Sequence, residues 1–213
     1  MNIGFLFDLD GVLIDSETEY TRIWSDIDRV YPTGVENFAT KIKGMTLPEI
    51  LELNFPKEIW PKVVGMLNER EQKMKYNLLP GALELLTKLK ERDYPRALVT
   101  SSNDLKMQHL HEELPWLEDE FTVVVTADMI TKSKPDPEGY ILAARLIGVP
   151  TSRCAVFEDS RQGVKAGHAS GAYTVGLTTT LPEPEIAPYC DKIVANLAAV
   201  DLDKLVATLE ARE

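Results

Sequence analysis

Two aspartates one residue apart, Asp8 and Asp10, follow directly on the first apolar run of the chain, residues 3–7. The two-residue period of an extended segment puts both carboxylates on one side, while Phe7 and Leu9 face elsewhere. Carboxylates this close repel each other, and a hard divalent cation relieves the repulsion by taking their oxygens as ligands. Gly11 permits the turn by which the chain leaves the strand. The same pair can also do no more than end a strand and cap the next segment.

Three further groups have the same double reading. Thr100-Ser101-Ser102-Asn103 follows the run Ala97-Leu98-Val99 and opens a helix. Backbone N–H groups and the positive helix end attract a phosphate there, yet such residues are also ordinary N-caps. Lys134, within Lys132-Ser133-Lys134-Pro135-Asp136-Pro137, precedes proline. It therefore lies in extended backbone, from which its cation can enter a cleft or remain in solvent. Phe157-Glu158-Asp159-Ser160 brings a second acid pair, or a second helix cap, after another apolar run.

The elements that must position these groups decide between the readings. Strands are predicted at 3–7, 97–99, 123–125, 155–157 and 174–177, with a weaker one at 193–195. Amphipathic stretches at 83–90, 140–147 and 164–169 lie between them. This alternation implies βαβ units, right-handed crossovers and a doubly wound, Rossmann-like parallel sheet in an α/β core. A parallel sheet gathers acid pair, hydroxyl cluster, lysine and acid pair on one rim. Four unrelated caps in that order are an improbable coincidence, so the groups are read as one site. About 90 residues separate the first two strands, where a crossover needs only about a dozen. Tyr20, Ile23, Trp24 and Ile27 recur at helical spacing, and 47–53 and 59–76 continue the pattern. The expected organisation is a core of residues 1–15 and 79–213 with an inserted α-helical cap, residues 16–78. Leu79-Pro80-Gly81 marks the return, and the cap covers the ligand-binding edge of the sheet.

The chain has 213 residues and a net charge of −11, with 44% hydrophobic and 27% charged residues. A surface so acidic argues against nucleic-acid binding, which needs cations to displace counterions. It does not exclude a small anionic substrate held by a few aimed cations. No apolar run approaches the roughly 20 residues of a membrane span. Cys154 and Cys190 have no partners at zinc-ligand spacing, and their scarcity fits a reducing compartment. A soluble, cytoplasmic monomer is expected, acting on a small phosphorylated metabolite. His109, His111 and His168 end no strand and are read as structural.

Asp8-Leu9-Asp10-Gly11-Val12, Thr100, Lys134-Pro135 and Glu158-Asp159 resemble, in order and spacing, the four motifs of the haloacid dehalogenase-like hydrolases. The cap resembles the small helical cap of the subgroup that contains β-phosphoglucomutase and many sugar-phosphate phosphatases. The resemblance implies that Asp8 attacks phosphorus and becomes an aspartyl phosphate. Asp10 would protonate the leaving oxygen and later deprotonate water. Magnesium would be held by Asp8, the Asp10 backbone carbonyl and Asp159, with Glu158 beside it or a direct ligand. Thr100 would hydrogen-bond a phosphoryl oxygen, and Lys134 would offset the charge of Asp8 and the phosphoryl group. Ser101, Ser102 and Asn103 would line the phosphate site. Because haloacid dehalogenases and phosphonatases lack an acid at the Asp10 position, the resemblance favours phosphate esters.

A hexose-phosphate mutase is the competing enzyme. In β-phosphoglucomutase a histidine early in the cap couples sugar binding to base alignment; Tyr20 stands there in this chain. With an ordinary pKa of about 10, tyrosine cannot switch near neutrality, so phosphatase is the expected activity. A non-catalytic binding protein is disfavoured because every motif position holds a competent residue. In the cap, Gly44 resembles part of a specificity loop. Arg70 and Lys73, three apart on one helical face, either meet substrate or pair in solvent with Glu69 and Glu71.

Overall fold

The computed structural model describes residues 3–43 and 45–212. In chain order the elements are β1 (Gly4–Phe7), α1 (Glu17–Val30), α2 (Phe38–Lys41), α3 (Leu47–Asn54), α4 (Trp60–Glu71), α5 (Ala82–Glu91), β2 (Arg96–Val99), α6 (Asp104–Glu113), β3 (Val123–Val125), α7 (Glu138–Leu146), β4 (Cys154–Glu158), α8 (Arg161–Ala169), β5 (Tyr173–Leu177), α9 (Glu183–Ile186), β6 (Lys192–Val194) and α10 (Leu202–Glu210). The strands form one sheet in the order β3-β2-β1-β4-β5-β6, with every neighbouring pair parallel.

Strand alternation explains the layers. Phe5 and Phe7 of β1, Leu98 of β2 and Phe157 of β4 point to one face, where α5, α6 and α10 supply Leu86, Leu110 and Leu209. Leu6, Ala97, Val99 and Val156 point to the other, against Tyr140, Ala143 and Ala144 of α7. Both faces are covered, which is why β1, β2 and β4 read as unbroken apolar runs rather than alternating ones. Phe7 and Phe157 stack with ring centroids 4.5 Å apart directly beneath the strand ends. Truncating either ring to alanine would cost about 3–5 kcal/mol and loosen the base of the rim.

The helical insertion α1–α4 leaves the core after β1 and returns before α5. Its two connections pair with each other: Leu79 N–H donates to Leu13 O, and Asp15 N–H donates to Asn77 O, each at 2.8 Å. These bonds set the angle at which the insertion meets the core. Helix α4 ends at Glu71, short of the predicted 76. Residues 72–77 must travel back to the core, and extended backbone covers about twice the distance per residue of a helix. Met74 and Tyr76 bury their side chains on the way. Among the described residues no helix is long and apolar enough to cross a membrane.

Candidate active site

All four predicted motifs stand at the carboxyl ends of β1–β4. Asp8 immediately follows β1, and its N–H donates to Phe157 O of β4 at 3.1 Å. Thr100 follows β2 and is tied by its N–H to Val125 O at 2.9 Å. Lys134 lies in the connection from β3 to α7, and Glu158 is the last residue of β4. β1 pairs with both β2 and β4, so the sheet order turns at β1, the place where open α/β sheets leave a crevice.

Behind Asp8 lies a buried ion-pair frame. Lys134 Nζ donates to Asp8 Oδ1 at 2.5 Å, to Glu158 Oε1 at 2.7 Å and to Val99 O at 3.2 Å. The Tyr140 hydroxyl donates to Glu158 Oε1 at 2.6 Å. Glu158 Oε2 accepts from the N–H of Asp159, the N–H of Ser160 and the Ser160 hydroxyl. A carboxylate offers about four lone-pair sites, so the five donors on Glu158 occupy it fully. It therefore holds Lys134 in place. Burial alone would depress the Lys134 ammonium, but Asp8 and Glu158 overcome it and raise its pKa above the ordinary value. Burial pushes the Asp8 carboxyl up to about 8, with Lys134 opposing and Glu158 adding to the rise.

Asp8, Glu158 and Asp159 bring a carboxylate oxygen each to within 4.8 Å of one another. Hard oxygen donors suit a hard divalent cation, and a second positive charge would lower the raised Asp8 carboxyl. Two glycines make room for this acid cluster. Gly11, at φ +77°, stands where an added Cβ would collide with Asp159 Oδ2, and a Cβ at Gly163 would strike the Glu158 carboxylate.

Asp10 is oriented separately. Its Oδ1 accepts from the Ser16 hydroxyl, and its Oδ2 accepts from Lys106 Nζ at 2.5 Å and from Ser102 Oγ at 3.4 Å. A cavity of about 120 Å³ opens beside it, lined on the core side by Asp8, Asp10, Ser101, Ser102, Asn103, Lys106, Asp159 and Ser160. Helices α6 and α8 start at this wall. Asn103 caps the first by accepting from Lys106 N–H, and Ser160 caps the second by accepting from Gly163 N–H, each at 3.0 Å. Two positive helix ends thus face the cavity, a favourable environment for a phosphate. Thr100 lies one layer deeper: it is 3% exposed and its Oγ1 accepts from Ser102 N–H at 3.0 Å, shaping the loop between β2 and α6.

The cap wall is of another kind. Trp24, Ala39, Ile42, Met45, Leu47, Ile50 and Leu67 line it, with Tyr20, Thr21, Lys43 and Glu71 as its polar members. The Tyr20 hydroxyl donates to Glu71 Oε1 at 2.7 Å. Ser133, just before Lys134, donates to Glu49 of α3, so the lysine loop also touches the cap. Arg70 and Lys73 do not join the lining. Arg70 donates to Asp26 Oδ2 at 3.1 Å, and the exposed Lys73 to Glu69 Oε1 at 3.0 Å. Asp26 of the neighbouring helix α1 takes up Arg70, and Glu69, one turn back, takes up Lys73, so neither cation faces the cavity as the substrate reading expected. Gly44 lies outside the described residues.

Sequence reasoning missed Lys106, Ser16 and Tyr140. Lys106 carried a usable signal: a lysine in the first turn of a helix opposes the helix dipole and calls for an anion nearby. Asp10 is that anion. Tyr140 gave only the ordinary mark of an apolar helix face.

A family model for haloacid dehalogenase-like hydrolases matches residues 4–171. The chain belongs to this family. It is a haloacid dehalogenase-like phosphoric monoester hydrolase, and family members of this type generally use magnesium. The chain is 31% identical to hexitol phosphatase A of Escherichia coli over 94% of each chain. It is 29% identical to 2-deoxyglucose-6-phosphate phosphatase 1 of Saccharomyces cerevisiae, over 93% of this chain and 89% of that one. Among solved structures, a hydrolase from Pseudomonas syringae superposes with a TM-score of 0.84 at 23% identity, covering 95% of this chain and 99% of that one. A β-phosphoglucomutase from Clostridium difficile superposes with a TM-score of 0.82 at 21% identity, covering 99% and 98%. These last two show the shared fold.

Proposed function

We propose that this hydrolase cleaves small phosphate monoesters, sugar phosphates among them, through a phosphoenzyme formed on Asp8. The observation that carries the reading is the Lys134–Asp8 contact at 2.5 Å in a buried frame, on the same rim as Asp10 and two capped helix ends. Asp8 is held by Lys134 at one oxygen, which leaves the other to attack phosphorus. The phosphoryl oxygens would rest among Ser101, Ser102, Asn103 and the N–H groups of the α6 end, with Thr100 supporting that loop. Asp10 would give its proton to the leaving oxygen as the P–O bond breaks and take one from water when the phosphoenzyme is hydrolysed. Lys134 offsets charge on Asp8 and the phosphoryl group, the electrostatic contribution on which phosphoryl transfer mostly depends.

Asp8 and Asp159, with the Asp10 backbone carbonyl, would hold magnesium, and Glu158 would keep Lys134 aligned beneath them. When bound, the ion supplies positive charge that keeps Asp8 ionised and balances the phosphoryl oxygens. The small-sugar preference draws on the hexitol and deoxyglucose phosphatases among the relatives. Phosphatase is preferred to mutase because the cap presents Tyr20, bound to Glu71, where a mutase would need a group that titrates near neutrality. Burial, and then Glu71, raise the Tyr20 pKa well above its ordinary value, further from such a role.

The reading is tested by screening phosphorylated metabolites and p-nitrophenyl phosphate with magnesium, alongside an assay for β-glucose 1-phosphate isomerisation. Release of inorganic phosphate that EDTA abolishes is the expected outcome. Isomerisation faster than phosphate release would establish the mutase instead, and inertness toward the whole panel would leave a binding protein.

A further inference from the structure

Lys106 stands where core, cap and Asp10 meet. It is the third residue of α6 and only 7% exposed. Its Nζ reaches Asp10 Oδ2 at 2.5 Å and lies 4.2 Å from the ring centroid of Tyr20, over the aromatic face. Tyr20 belongs to α1 of the cap, and its hydroxyl binds Glu71 of α4. Asp10, Lys106, Tyr20 and Glu71 all line the same cavity. The four side chains thus form a continuous contact from the core carboxylate to two cap helices.

We propose that Lys106 is a positioning residue that holds the Asp10 carboxylate toward the leaving group, and does so while the cap keeps Tyr20 over it. The inference rests on the assignment of Asp10 as the acid and base of phosphate-ester hydrolysis. A lysine side chain is long and rotates freely, so one contact would not fix it. Here the carboxylate takes one side of the ammonium and the ring takes another, a cation–π contact strengthened by exclusion of water. Displacing α1 removes the ring. Lys106 can then swing, and among the described residues Ser16 and the longer Ser102 contact remain to orient Asp10. Ser16 itself directly precedes α1, so cap movement weakens both main supports of Asp10 together. No proton leaves Lys106 in either chemical step. Its part is geometric, and proton transfer depends steeply on geometry.

The test compares kcat/KM on p-nitrophenyl phosphate, whose leaving group departs without a proton, with phenyl phosphate, whose leaving oxygen has a pKa of about 10 like that of tyrosine. The assignment of Asp10 is checked first. Asp10→Asn must lose far more on phenyl phosphate than on p-nitrophenyl phosphate; equal losses would overturn that assignment and leave the role of Lys106 without its basis. With Asp10 established, Lys106→Met is expected to lose about tenfold to a hundredfold on phenyl phosphate and under about threefold on p-nitrophenyl phosphate, part of the roughly 10²–10⁴ that a general acid contributes. Lys106→Arg should recover most of the difference. Tyr20→Leu should shift the substrate ratio in the same direction by several fold, and Tyr20→Phe, which keeps the ring, by less. If Lys106→Met does not fold, the Tyr20 pair decides. Equal losses on both substrates for Lys106→Met, or a wild-type ratio in Tyr20→Leu, would overturn the proposal.

Discussion

The two walls of the cavity are built on opposite principles. On the core side the charged groups are tied down: behind the wall Glu158 takes five donors and Lys134 bridges two carboxylates, and on the wall Asp10 is gripped by Ser16, Lys106 and Ser102. On the cap wall the surface is mainly aliphatic and aromatic, and the cap cations Arg70 and Lys73 bind the cap's own carboxylates. The contrast separates two tasks. A buried charged frame that cannot rearrange suits chemistry, where the donors must be in place before charge develops. An apolar wall with few polar members suits selection of a leaving group, since it admits or refuses by shape and can change without disturbing the frame.

If that division holds, the core residues carry the largest losses. Asp8→Asn should abolish turnover, and retention of even a tenth of the wild-type rate would refute the nucleophile. Lys134→Met should cost activity by about two to three orders of magnitude. It should also destabilise the fold by about 3–5 kcal/mol, because two buried carboxylates lose their shared cation. The shift of the urea midpoint measures the second effect, and an unmoved midpoint would mean that the ion-pair frame contributes nothing.

A smaller effect tests the frame through pH. With its carboxyl raised by burial from 3.8 to about 8, folded Asp8 binds its proton more tightly than the unfolded chain does. Between those values the folded state holds the extra proton, so the contribution of Asp8 to stability falls as pH rises, and the loss is complete above about 8. Metal-free Asp8→Asn lacks this penalty. Its melting temperature should match wild type near pH 4 and exceed it by several degrees near pH 8. A constant gap would contradict the raised carboxyl. Magnesium, which favours ionised Asp8, should stabilise the wild type and do little for the variant.

The cap should give the mildest responses. Ile50→Ala is expected to change KM a few fold with little change in kcat, because on the proposed reading this wall would meet the part of the substrate that does not react. Arg70→Ala should change kinetics by less than about twofold, since Arg70 faces Asp26. A large rise in KM for Arg70→Ala would mean that the arginine turns to substrate and that the cap is not the passive wall described above.

The same contrast explains what could be read from the sequence. Strand ends are short, apolar and followed by polar residues. A parallel sheet aligns them, so Asp8, Thr100, Lys134 and Glu158 were legible together with the order of the layers. The positions of Thr100 and Glu158 were foreseeable, but their depth was not: both lie behind the cavity surface because neighbouring N–H and hydroxyl groups claim their oxygens. The cap was legible as helices from the spacing of Tyr20, Ile23, Trp24 and Ile27. Its wall was not, because which side chains face the cavity depends on how four helices lean on the core. Arg70 illustrates the limit. Its helix spacing was right, but its partner, Asp26, lies 44 residues away on another helix.

The most direct test is to trap the phosphoenzyme. Wild type, Asp8→Asn and Asp10→Asn are mixed with p-nitrophenyl phosphate and magnesium, quenched in acid within the first turnover, and mapped by peptide mass spectrometry. The expected result is one phosphoryl group on Asp8 in wild type, its accumulation in Asp10→Asn, where water lacks its base, and its absence in Asp8→Asn. A phosphoryl group on Ser101 or Ser102, or rapid phosphate release by Asp8→Asn, would contradict the account.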